Sequence, residues 1–97
     1  MIATLPTELT IAKAGEIQTA LLAALATGEP IELDGHAVEE VDVAGLQVLY
    51  AAGRSAATRG VPFGFRRDGR SAALVRALEV AGLAHNDREI WLMQEGA

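Results

Sequence analysis

Few residues in this chain have chemical reach. His36 and His85 are its two imidazoles, the side chains suited to acid–base work near neutral pH. Each falls in a segment that reads as loop, with no nucleophile, second His or Ser elbow beside it. Cysteine is absent, which removes thiol nucleophiles, disulfides and Cys-ligated zinc together. Glu39, Glu40 and Asp42 could offer oxygen ligands to a hard cation. They lack the loop length and the bidentate Glu of a calcium site, so no metal is expected. No Gly-rich loop ends in Lys-Ser/Thr, and no dinucleotide fingerprint occurs. Gly64, Gly69 and Gly82 read better as turn and cap residues. Arg66, Arg67 and Arg70 allow two readings. One is an anion or nucleotide-phosphate site at a helix start. The other, which is favoured, is a solvated turn in which Arg66 or Arg67 pairs with Asp68. An enzyme is therefore the weaker expectation, and no cofactor is implied.

The most informative stretch is Val38 to Leu49, in which a strand leads to an acid at the mouth of a helix. Asp42 can cap that helix and complement its positive end. Val43, Ala44 and Gly45 follow as a small apolar step. Glycine in a first turn sacrifices helix propensity, so Gly45 predicts close approach by another backbone, from within the fold or from a partner.

The surrounding elements must hold that mouth in place. Ile2–Leu5 and Glu8–Ile11 read as short strand segments separated by Pro6. Ala14–Ala26 reads as a helix with Ile17, Leu21, Ala24 and Leu25 on one stripe, stopped by Gly28 and Pro30. Ile31–Leu33 is a strand and Gly35 a turn. A second helix over about Ala44–Arg59 buries Leu46, Leu49, Ala52 or Gly53, and Ala56, and Gly60 ends it. Val61–Arg66 reads as a strand with Phe63 and Phe65 alternating, closed by an Asp68-Gly69 turn. Ser71 is a candidate N-cap for a third helix, Ala72–Ala81, with Leu74, Leu78 and Ala81 on its buried stripe. A last strand is expected at Glu89–Met93. Alternation of this kind implies an α/β fold, a mixed, mainly parallel sheet with helices packed on it and right-handed crossovers. Trp91 reads as core, with a dimer contact as its alternative.

The 97 residues suit one domain spanning 1–97. Apolar residues make up 51% and charged residues 22%, a globular profile. The net charge of −5 argues against nucleic acid and anionic membranes. The Met1 start lacks a basic and apolar leader, and no apolar run is long enough to span a bilayer, so a cytoplasmic location is expected.

Five segments in order resemble the STAS domain family, the sulfate-transporter and anti-sigma-factor-antagonist fold. They are Glu8-Leu9-Thr10-Ile11-Ala12, Ile31-Glu32-Leu33-Asp34, Asp42-Val43-Ala44-Gly45-Leu46, Gly60-Val61-Pro62-Phe63, and Val75 to Leu83, which is similar to the family's closing helix signature. The wording is most similar to the small stand-alone branch, which includes the cytosolic subunit of a lipid-transporting ABC complex and chemotaxis-associated proteins. In anti-sigma-factor antagonists the motif reads Asp-Ser-Ser-Gly-Leu, and phosphorylation of its second Ser by a partner kinase breaks the complex. Val43 and Ala44 stand at those two positions here, and neither has a hydroxyl. Ala44 is thus equivalent to the phosphosite but cannot accept the roughly −1.5 to −2 charges of a phosphate. Ser55 and Thr58, further along the helix, cannot stand in for it. The Thr or Ser before the first helix is replaced by Lys13, which implies a weaker cap.

The resemblance implies a non-catalytic protein-binding module. Its docking surface would be Asp42, Val43, Ala44, Gly45, Leu46 and Gln47, extended by Arg54. The implied partners are an anti-sigma kinase-like protein, a chemotaxis component or an ABC ATPase; nucleic acid and direct membrane insertion are not expected, and a homodimer stays open. The alternative function is sensing of a small ligand, a nucleotide or lipid, motivated by Arg66, Arg67 and Arg70.

Overall fold

The structure is a computed structural model that describes residues 1–81. Its elements run β1 (Ile2–Thr4), β2 (Glu8–Leu9), α1 (Ala14–Ala26), β3 (Ile31–Gly35), β4 (Glu40–Val41), α2 (Val43–Arg59), β5 (Phe63–Arg70) and α3 (Ala72–Val80). The expected strand at Glu89–Met93, with His85 and Trp91, lies outside the described residues.

Three strands form a parallel sheet in the order β1-β3-β5, and β2 pairs with β4, also in parallel, as a separate ribbon. The class is α/β, as the alternation of elements predicts. Pro6 has no N–H to continue a ladder, so the lead-in breaks into two strands, and each half joins a different sheet.

One apolar cluster fills the interior. Ile31 and Leu33 of β3, with Phe63 and Phe65 of β5, are fully buried, while Glu32 between them is exposed. The helical stripes meet them: Ile17, Leu21, Ala24 and Leu25 from α1, and Leu46, Leu49, Ala52 and Ala56 from α2. Small residues on both helices let α1 and α2 pack directly on each other.

The helix ends follow the local chemistry. Lys13 at the start of α1 makes no side-chain cap bond. Gly60 takes the left-handed conformation that ends α2 (φ 70°). The Val61 N–H then closes the helix on the Ala56 carbonyl at 2.9 Å. That bond delays the next strand, which starts at Phe63 rather than Val61. The Ser71 hydroxyl accepts from the Leu74 N–H at 3.1 Å, the cap expected for α3.

β5 also runs past the expected Asp68-Gly69 turn, to Arg70. The register jumps from Leu33 opposite Phe65 to Gly35 opposite Arg70. The Asp-Gly pair therefore sits inside the strand, in a bulge. A Cβ at Gly69 would lie 2.8 Å from the Leu33 carbonyl oxygen, so only glycine lets the two strands meet there.

Candidate functional site

Asp42 ties three segments together at the mouth of α2. Its backbone is extended, and its Oδ1 accepts from the Gly45 N–H at 2.9 Å, the expected cap. Its Oδ2 accepts from the Ile11 N–H, also at 2.9 Å, thirty-one residues away in the lead-in to α1. The Asp42 N–H in turn donates to the Leu9 carbonyl. These N–H donors, Ile11 first and Gly45 second, hold the Asp42 carboxyl below the usual carboxylate range. The β2–β4 ribbon pairs Leu9 with Val41 and so sets the distance between lead-in and helix.

Gly45 resolves one of the sequence expectations. A Cβ there would collide with the Leu9 carbonyl oxygen. The close backbone approach comes from the fold itself. Gly45 and Leu46 are both buried, so of the proposed docking residues these two face inward and support the surface without forming it. Val43 is 67% exposed, Ala44 half-buried and Gln47 exposed. Arg54 lies about 16 Å further along the axis at 1.5 Å per residue. There it donates to the Tyr50 hydroxyl and lies over the Tyr50 ring. The structure does not bring Arg54 to the mouth.

Ile11 is the residue that sequence reasoning missed. It is 71% exposed and its N–H is bonded to the same carboxylate that caps Val43's helix. An apolar side chain just ahead of a helix, off its buried stripe, was the available signal. An open groove of about 560 Å³ continues from the mouth toward α3. Val41, Val43 and Leu46 line it from one side, Ala73, Ala77 and Val80 from α3, and Glu39, Asp42 and Arg76 supply its charges.

The three arginines are not gathered at one site. Arg66 and Arg67 line a hollow of about 310 Å³, but Glu32, Asp34 and Asp68 line it too. Arg66 pairs with Asp34 on the neighbouring strand, at 3.7 Å, rather than with Asp68. Asp34 also contacts the His36 ring nitrogen at 2.7 Å and accepts the His36 backbone N–H. These His36 bonds, more than Arg66, hold its carboxyl low. Arg70 is absent from this hollow; it lies over the Phe65 ring, and its partial burial lowers its pKa. Among the described residues no group of three acids or imidazoles could hold a metal ion. No helix there is long and apolar enough to cross a membrane.

No curated protein and no solved structure matches this chain. The family described as Mlab, STAS domain, matches it over residues 3–94. That match spans the lead-in, the capped mouth of α2 and α3 together, and the parallel strands and three helices of the described residues agree with it. The chain belongs to the STAS domain family.

Proposed function

We propose that this chain is a non-catalytic regulatory module that docks a partner protein through the mouth of α2. The observation that carries the reading is the pair of exposed apolar side chains, Val43 and Ile11, on segments bonded to one carboxylate, Asp42. Loose apolar surface on a mobile loop would cost entropy on binding; here the backbone is already tied. Val43, Ala44 and Gln47 are the contact residues, Asp42, Gly45 and Leu46 are their frame, and Arg54 extends the exposed face of α2. Membership of the STAS family supports a regulatory role. An anti-sigma kinase-like protein, a chemotaxis component or an ABC ATPase in the cytoplasm fits that role. Ala44 and Val43 carry no hydroxyl, so release of the partner by phosphorylation of the motif is not available to this chain.

The test is affinity capture from host lysate with the wild-type chain and Ala44→Glu side by side, read by mass spectrometry. A kinase-like or ATPase partner is expected with wild type and lost with the variant, while circular dichroism stays unchanged. Equal capture by a folded Ala44→Glu variant would overturn the reading.

A further inference from the structure

The hollow between β3 and β5 shares no lining residue with the groove at α2 and carries a separate inference. β3 and β5 run parallel, with Leu33 opposite Phe65 and Gly35 opposite Arg70. Asp34 alone therefore stands across from residues 66–69, and the bulge brings Arg66, Arg67 and Asp68 to the same hollow. This is the carboxyl end of β3, the end of a parallel strand where open α/β sheets receive small molecules.

His36 is held there in one chemical form. Asp34 Oδ1 lies 2.7 Å from His36 Nδ1 and accepts the His36 backbone N–H at 3.2 Å. These bonds hold the Asp34 carboxyl below its ordinary range, so near neutral pH it is ionised and only accepts. In the neutral ring Nδ1 therefore carries the proton and Nε2 the lone pair. The His36 side chain is 66% exposed, and its Nε2 has no hydrogen-bond partner among the described residues. The Arg66 guanidinium approaches the other Asp34 oxygen at 3.7 Å, a loose ion pair that leaves most of its donors to the hollow. A nucleophilic nitrogen, an acid behind it and two guanidinium groups thus line one opening.

We propose that His36 is a phosphoryl acceptor, modified at Nε2 by a small donor with a P–N bond. The Nε2 lone pair attacks phosphorus. The P–N bond of the donor breaks, and its electron pair leaves with the protonated donor nitrogen, which departs as a neutral amine. The modified ring keeps its Nδ1 proton and becomes positively charged, and the Asp34 carboxylate stabilises that charge. Arg66 and Arg67 bind the phosphoryl oxygens through charge-assisted hydrogen bonds. Glu32 and Asp68 line the hollow too and oppose a dianion, so the two arginines are needed to offset them. An acyl group would bring no negative charge to the guanidinium pair, which favours phosphoryl as the group accepted.

The chain has two histidines, so His85→Gln leaves His36 as its one imidazole. That parent chain is treated with phosphoramidate at neutral pH and read by phosphorus NMR at alkaline pH, beside a blocked histidine amide. A single Nε2-phosphohistidine is expected, forming ~10-fold faster than on the amide, since a hydrogen bond to a charged group is lost in the reference. Adding Asp34→Asn or Arg66→Gln should slow labelling ~10-fold with unchanged circular dichroism. Asp34→Asn also frees the tautomer, so an Nδ1 product should join the Nε2 one. Labelling of the parent at the rate of the amide overturns the proposal, as does an Nδ1 product in the parent. So do Asp34→Asn and Arg66→Gln chains labelled as fast as the parent.

Discussion

Asp42 is the residue on which the mouth of α2 depends, and its titration has a fixed sign. Its folded pKa is depressed by N–H donors from Ile11 and Gly45. Its contribution to stability is therefore complete above the unfolded value of about 3.9 and is lost as pH falls through the lower folded value. An Asn there keeps one carbonyl acceptor, but its amide nitrogen cannot accept the second N–H. Urea unfolding of wild type and Asp42→Asn should show the variant less stable at pH 7, with the gap closing as the pH falls toward 2. A constant gap across that range would show that charge plays no part. Two helical glycines make a paired prediction at the same scale. Gly45→Ala places a methyl against the Leu9 carbonyl, a backbone atom that cannot rotate away. It should destabilise the chain by about 1–3 kcal/mol or more, despite the better helix former. Gly15→Ala in α1 meets nothing within 4 Å. It should stabilise by about 0.5 kcal/mol, a gain limited by its place in the first turn. Thermal or urea unfolding of the two variants reads both signs directly.

Among the elements, the helices differ in how they begin. α2 and α3 have side-chain caps, from Asp42 and Ser71, whereas α1 begins at Lys13 without one. Lys13 instead lies 3.5 Å from Glu16, an exposed pair that contributes little. Ser71→Ala should cost about 1 kcal/mol in chemical denaturation, because the Leu74 N–H loses its partner. Ala56 of α2 is completely buried. Ala56→Leu should cost about 1–3 kcal/mol by overpacking. A variant as stable as wild type would show that the core around Ala56 has room for the larger side chain.

For the molecule as a whole, the docking reading separates two adjacent turns of one helix. Val43→Asp changes an exposed side chain and should leave stability within about 0.5 kcal/mol of wild type while weakening partner capture. Leu46→Asp, three residues on, puts a carboxylate into the core and should unfold the chain. Thermal melts of both, beside capture by the first, check the separation. If Val43→Asp also unfolded the chain, the exposed turn would be structural after all.

The sequence by itself determined the helices, the caps at Asp42 and Ser71, the α/β class and the apolar stripes, except that Ala81 lies exposed past the end of α3, since these rest on periodicity and on contacts within four residues. It also shows that neither Val43 nor Ala44 carries a hydroxyl. Only the tertiary structure decided that Asp42 serves Ile11 as well as Gly45, that the glycine's close neighbour is Leu9, and that Arg66 turns to Asp34 while Arg70 covers Phe65. It likewise split the proposed docking motif into an outward Val43 and an inward Gly45 and Leu46. The Asp42, Gly45 and Arg66 contacts are set by strand register and by the approach of segments roughly thirty residues apart, which local residue preferences do not specify. Arg70 meets Phe65 across the bulge within their own strand.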